Sequence, residues 1–183
     1  MAKFDSLDWK FNKVIDVFSV RNTRNILSRN VTPNSGLTPY LGAGADNNSV
    51  ITHISYDYSM LEKGNCIFIG GKTFVVTYQS DAFFSNDSHN LTLYLRNTSP
   101  TRHNQLFLAT CLYQSLAYQY SWGNSISKSK IKTDYVLVPI APDGHIDFKF
   151  MNVFVSAIQK LVIKDVVEYA DRRIATTKKI ITA

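Results

Sequence analysis

Val138-Pro139-Ile140-Ala141-Pro142-Asp143-Gly144-His145-Ile146-Asp147-Phe148-Lys149-Phe150-Met151 is where the chain changes character. Its front end closes a β-branched, apolar run from Tyr135 to Ile140 that reads as a strand. Pro142-Asp143-Gly144 reads as a turn, because proline fixes φ and glycine permits a positive φ. Asp147 is placed to cap a helix opening at Phe148. Between that point and Ala183 there is neither glycine nor proline, so strands and loops give way to helix. The expected division is residues 1–146 for the body of the domain and 147–183 for a helical segment.

Working toward the C-terminus, the β-branched patch Leu161-Val162-Ile163 suggests two helices meeting there, residues 147–160 and 164–182. In the second, Val167, Ala170, Ile174, Thr177 and Ile181 fall at alternating spacings of three and four. That is the stripe of a helix that docks on another helix. Val167, Ala170, Ile174 and Ile181 are therefore the candidate assembly residues.

Working toward the N-terminus, residues 51–56, 66–69, 73–79 and 91–96 carry the composition of strands. Between the last of these and Tyr135, Leu108, Cys111, Leu112, Ser115, Leu116 and Gln119 recur at helical spacing and predict one amphipathic helix over residues 104–120. A Ser/Lys-rich loop follows it, residues 121–132. The first third is broken by Pro33, Gly36, Pro39, Gly42 and Gly44 and reads as a loop-rich surface with little regular structure. The class is α+β, a loop-rich mixed sheet followed by a helical, coiled-coil-like segment.

The chain has 183 residues, 45% of them hydrophobic and 19% charged, which suits one core with a small appendage. Twenty basic against fourteen acidic residues leave +6 and favour an anionic partner. No run approaches the roughly 18 apolar residues of a membrane span, and Met1-Ala2-Lys3-Phe4-Asp5 does not open a signal peptide, so the expected setting is cytoplasmic with no membrane. Cys66 and Cys111 lie in apolar segments without ligand-spaced neighbours and read as buried reduced thiols. Asn-x-Ser/Thr sequences at Asn30, Asn47, Asn86, Asn90 and Asn97 mark polar turns.

Motifs of catalysis and cofactor binding are incomplete. Gly70-Gly71-Lys72-Thr73 has the tail of a phosphate loop, but its first glycine would fall at Cys66 inside a strand. Gly42-Ala43-Gly44 begins like a dinucleotide fingerprint, yet Asn47 stands where the third glycine belongs. No Gly-x-Ser-x-Gly elbow occurs, and Glu62 and Glu168 are the only glutamates. Asp87, His89 and His103 read as solvated loop residues rather than metal ligands. No cofactor, metal or catalytic residue is therefore assigned. What remains is a set of polar loops: Arg21, Arg24 and Arg29 in one, Lys128, Lys130 and Lys132 beside Trp122 in another. Those side chains, with Asn and Gln, suit phosphate anchoring and base-edge recognition. Trp9 and Phe150 are expected to anchor apolar clusters.

The order of these blocks resembles a target recognition domain of a type I restriction-modification specificity subunit. Trp9, Phe11, Val14, Ile15 and Phe18 resemble the family's entry segment. Gly36-Leu37-Thr38-Pro39-Tyr40-Leu41-Gly42 with Asn47-Asn48 resembles its Pro-Tyr and Asn-Asn loop, although Ser49 stands where glycine often follows. Thr77-Tyr78-Gln79, Phe83-Phe84 and Ser85-Asn86-Asp87 resemble its central strand and loop, and residues 138–151 resemble its Leu-Pro strand, turn and Asp-x-x-Phe-Met helix start. The resemblance implies a non-catalytic subunit, or half subunit, that grips double-stranded DNA through loops. Its implied partners are a methyltransferase subunit, a restriction subunit through the complex, and a second copy or second recognition domain. No Asn-Pro-Pro-Tyr or Asp-Pro-Pro-Tyr signature occurs here, so methyl transfer would fall to the partner. Candidate DNA contacts are Arg21, Arg24, Arg29, Tyr40, Asn47, Asn48, Lys72, Gln79, Ser85, Asn86, Lys128, Lys130 and Lys132. The alternatives are a small metal-dependent nuclease using scattered aspartates, and a protein-binding module that interferes with DNA-acting enzymes; a DNA mimic of that kind should be acidic, against the +6 found here.

Overall fold

The structure, a computed structural model, describes residues 7–181, with side chains given through residue 174. In chain order the elements are β1 (Asp8–Lys13), α1 (Val14–Val17), β2 (Phe18–Asn22), β3 (Thr38–Leu41), β4 (Val50–Ile54), β5 (Cys66–Ile69), β6 (Val76–Gln79), β7 (Phe84–Ser85), β8 (Leu91–Leu95), α2 (Arg102–Leu116), β9 (Tyr135–Ile140) and α3 (Phe148–Ile181). The central sheet has the order β2-β8-β5-β6, with every pair antiparallel. A smaller sheet, β4-β3-β7, mixes an antiparallel and a parallel pair, and β1 pairs with β9 as a two-stranded ribbon.

Strand β5 explains the layering. All four residues are buried, the mark of a strand covered on both faces. Ile67 and Ile69 enter the large core with Leu108, Leu112, Val136 and Val138 of α2 and β9. Cys66 and Phe68 point the other way, onto Leu41 and Phe83, with Phe68 and Phe83 edge to face at 5.8 Å. The central sheet thus carries helix and ribbon on one side and the small sheet on the other.

Several expectations are corrected. The first third holds β1, β2 and β3 rather than little regular structure. Their patterns are short, and β1 and β2 pair remotely, Trp9 opposite Pro139 and Val20 opposite Leu93; β3 pairs with nearby β4, but its four residues include Pro39. The strand expected over residues 73–79 begins only at Val76, because the Phe74 N–H returns to the Gly70 carbonyl in a tight turn. The middle helix starts earlier and ends earlier than residues 104–120. Thr101 caps it reciprocally with Asn104, and Tyr120 leaves the helix to bond Asp134.

The two expected C-terminal helices are one. Gly144 turns the chain at φ +84°, Asp147 Oδ1 accepts from the Phe150 N–H at 2.7 Å, and 34 residues of α3 follow, about 51 Å at 1.5 Å per residue. Leu161-Val162-Ile163 does not interrupt it, since β-branched residues cost a helix only about 0.7 kcal/mol each or less. Met151 is buried and Phe154 half-buried, whereas every residue from Lys160 to Ile174 is exposed. Trp9 stacks on Phe107 at 6.3 Å, and Phe107 meets Phe150 and Phe154 edge to face at 5.9 and 5.7 Å. Both expected anchors sit in this cluster.

The two cysteines are buried and unpaired, and burial pushes each thiol up to about 12. Since the thiolate is the reactive species, Cys66, which is fully buried, should not be alkylated at neutral pH in the native protein, and Cys111, which lines an apolar groove, should react far more slowly than in denaturant. Mass spectrometry after a timed pulse of iodoacetamide checks this; native labelling of Cys66 would contradict the packing.

Candidate nucleic-acid interface

Polar loops gather around Gly70 and Gly71, at the end of β5. A side chain at Gly71 would come within 2.3 Å of the His89 carbonyl, and one at Gly70 within 2.8 Å of Ala43, so only glycine lets these backbones approach. The Gly71 N–H donates to Asn90 Oδ1 at 3.0 Å, and the Gly71 carbonyl accepts from the Ile126 N–H at 3.1 Å. Thr73 Oγ1 donates to the Ala43 carbonyl at 2.6 Å. The loops of residues 42–49, 70–75, 85–90 and 121–134 are therefore cross-braced at one place. Residues 23–37 join through Thr23, whose hydroxyl donates to the Asp87 carbonyl and accepts from Ser85. The Gly-Gly pair holds loops together, and its amide is already used inside the protein.

The sequence-selected residues divide by what their side chains do. Tyr40, Gln79 and Ser85 are buried. The Tyr40 hydroxyl donates to the Ile26 carbonyl at 2.6 Å. Gln79, only 4% exposed, donates to the Asn48 carbonyl and Thr77 Oγ1, both at 2.9 Å. Ser85 serves Thr23 and Asn90. Against the expectation of direct DNA contact, these three spend their hydrogen bonds in fixing loops.

Asn47, Asn48 and Ser49 occupy left-handed backbone, φ 47°, 53° and 69°, a region that asparagine tolerates better than most residues. Asn48 Nδ2 donates to the Tyr78 carbonyl and Asn47 Nδ2 to the Val50 carbonyl, and both residues remain exposed. Asn86, half-buried, accepts from Asn90 Nδ2 at 3.3 Å.

The cations divide likewise. Arg24 is bound to Glu62 at 3.3 Å and to the Leu61 carbonyl at 3.1 Å. Arg21 lies over the Tyr94 ring, 5.5 Å from its centroid. Lys72 pairs with Asp87 at 3.3 Å; burial would raise the Asp87 carboxyl, but hydrogen bonds from the His89 N–H and ring and from Lys72 outweigh it and hold it below its ordinary value. Lys130 donates to Asn124 Oδ1 and the Ser125 carbonyl at 2.6 and 2.8 Å. Arg29, Lys128 and Lys132 are exposed and, among the described residues, have no ion-pair partner. His89 meets Asp87 at 2.8 Å, while His103 is bound to Gln159 of α3; among the described residues no three His, Cys, Asp or Glu gather as metal ligands.

Sequence reading missed Glu62, Thr23 and Asn90, which brace the loops. Glu62 is buried in a bridge with Phe83, and its turn-like surroundings in sequence carry no sign of that. A second surface was also missed, an apolar groove of about 740 Å³ between β1, α2 and α3, lined by Trp9, Phe11, Phe107, Tyr118, Phe154 and Ile158 among others. Of the assembly stripe, Val167, Ala170 and Ile174 are exposed; the side chain of Ile181 lies outside those described.

Residues 6–169 match the family model described as type I restriction modification DNA specificity domain. A curated relative, the type II restriction enzyme BgcI specificity subunit S.BcgI of Heyndrickxia coagulans, is 25% identical over 166 residues, covering 89% of this chain and 47% of the relative. The S subunit of a type I restriction-modification system from M. genitalium superposes with a TM-score of 0.61 at 13% identity, over 85% of this chain and 39% of that one. The HsdS subunit of Thermoanaerobacter tengcongensis gives 0.57 at 13% identity, over 85% and 38%. The chain thus spans about half the length of the curated relative and about two fifths of these solved chains. With the matched model running from the entry segment well into α3, the chain belongs to the family of type I restriction-modification DNA specificity domains.

Proposed function

We propose that this domain reads a double-stranded DNA sequence, carries no chemistry of its own, and brings a partner adenine methyltransferase, with its restriction subunit, to the site. The observation that supports this most is the cross-bracing of polar loops at Gly70 and Gly71, with exposed Asn47 and Asn48 on one loop and Lys128 and Lys132 on another. Rigid loops bearing planar amides and free cations suit both halves of DNA recognition, since phosphate contacts set register and base-edge contacts set sequence. On this reading Arg29, Lys128 and Lys132 hold phosphates, and Arg21 and Lys72 join them by leaving Tyr94 and Asp87. Asn47, Asn48 and Asn86 face base edges, while Tyr40, Gln79, Ser85 and the paired Arg24 keep the loops in shape. Lys130 braces its own loop.

Binding should fall steeply with salt, because each neutralised phosphate releases counterions. Replacing Lys128 and Lys132 with Ala should weaken all sequences alike and make the log-log salt slope shallower by about 2, at about 0.9 per phosphate contact. Fluorescence anisotropy across a salt series measures it; affinity flat in salt would refute the reading. Incubation with Mg²⁺ and plasmid tests the nuclease alternative, which cleavage by this chain alone would favour. Methylome sequencing of cells expressing the domain with its methyltransferase gives the motif.

The assembly role goes to α3, with the functional division at residues 146 and 147. At about 100° per residue, Ile163, Val167, Ala170 and Ile174 form one row along the helix. Val155, Ile158, Val162, Val166 and Tyr169 form a second, about 110° away. The second row runs out of the apolar groove, whose lining includes Val155 and Ile158. Two rows cover about half the helix surface, enough for two neighbouring helices, which suits both a second recognition domain and the methyltransferase. Among the described residues no helix is long and apolar enough to cross a membrane, and a DNA-reading role suits a protein of the cytoplasm.

A further inference from the structure

Trp122 stands out among the large apolar side chains. A tryptophan can bury roughly 150–250 Å², yet this one is 77% exposed. It sits on a two-residue hairpin tip closed by reciprocal backbone bonds between Ser121 and Asn124, at 3.2 and 3.0 Å. Asn124 Nδ2 donates to the Gln119 carbonyl at 2.7 Å, and Lys130 clamps the far side through Asn124 Oδ1 and the Ser125 carbonyl. The base of the loop is bonded to Gly71, next to Lys72. Nothing lies within 4 Å of the space beside Gly123. The tip is thus braced from behind and open in front, which holds the indole out in water at little further entropic cost on binding.

Its surroundings choose the partner. Residues 121–133 contain three lysines and no carboxylate, and Lys128 and Lys132 are exposed. An apolar ring among cations fits a surface that offers anions and apolar patches together, as the phosphates, sugars and thymine methyls of a duplex do. The apolar groove has other lining residues, and Trp122 is not among them. We propose that the hairpin is a DNA-contact tip, in which the Trp122 indole packs on deoxyribose and base edges of the duplex while Lys128 and Lys132 hold neighbouring phosphates. This rests on the DNA-reading role above and adds an apolar contact to its polar ones.

The chain has two tryptophans, so the emission difference between the parent and Trp122→Phe reports Trp122 alone. Titration with a mixed-sequence duplex at low salt should quench that difference signal and shield it from acrylamide. Trp122→Ala should weaken duplex binding about tenfold, the size of effect for truncating one anchoring aromatic at an interface, with the melting temperature unchanged; Trp122→Phe should keep most of the affinity. If the parent itself fails to bind duplex, the DNA-reading role falls and this proposal with it. If the parent binds with its Trp122 emission and the Trp122→Ala affinity unchanged, the tip proposal alone is overturned. Shielding that appears only on adding the methyltransferase subunit also overturns it and makes the tip a protein contact.

Discussion

A chain carrying Ala170→Asp and Ile174→Asp should elute as a monomer where its parent self-associates, and should join the methyltransferase less tightly. This is the expected result of placing two carboxylates on the exposed row of Ile163, Val167, Ala170 and Ile174. In the isolated chain those positions face water, so the substitution leaves the fold unharmed. In an assembled pair they face another helix, and desolvating an unpaired charge there costs several kcal/mol. About 3 kcal/mol would raise the dissociation constant more than about 100-fold. A twofold pair would present identical loops to inverted half-sites with a fixed gap. Multi-angle light scattering of parent and variant decides the outcome. A parent that is itself monomeric at micromolar concentration refutes self-pairing and leaves the row to the methyltransferase or a different recognition domain.

Phe107→Ala is expected to carry the largest stability loss. Its ring touches Trp9 of β1 and both Phe150 and Phe154 of α3, so one side chain ties the ribbon, α2 and the projecting helix together. Truncating a buried phenylalanine costs about 3–5 kcal/mol, against a total stability for such domains of about 5–15 kcal/mol. Urea denaturation should show the midpoint falling accordingly, with Leu37→Ala, 95% exposed, as a control that leaves it unmoved. A loss of no more than about 0.5 kcal/mol, the level of an ordinary surface change, would mean that the cluster does not seat α3.

What could be read from sequence was what local chemistry determines. Strands β5 and β9, the turn at Gly144 and the Asp147 cap each depend on a few adjacent residues. Strands β1 and β2 depend on partners far along the chain, which their own short patterns could not announce, and β3 is only four residues long with Pro39 inside it. The break expected at Leu161-Val162-Ile163 failed because weak propensity does not end a helix without a residue that stops it. The candidate site was legible in composition but not in orientation. Gln79 and Asn48 carry the same amide; the fold buries the first to hold the second, and no spacing rule distinguishes reader from brace. Trp122 was noticed only as the neighbour of lysines, since exposure cannot be seen in a sequence.

The close approach at Gly71 bears on how such a domain can be re-engineered. Because one glycine backbone is fitted against His89 and bonded to both Asn90 and Ile126, the recognition loops are not interchangeable cassettes. A foreign loop grafted into residues 85–90 alone would have to reproduce that fit or push the 121–134 loop out of place. New specificity is better obtained by transplanting the whole loop-bearing body together with the first turns of α3, whose Phe150, Met151 and Phe154 pack into it. The natural suture lies beyond Gln159, where every side chain from Lys160 to Ile174 is exposed.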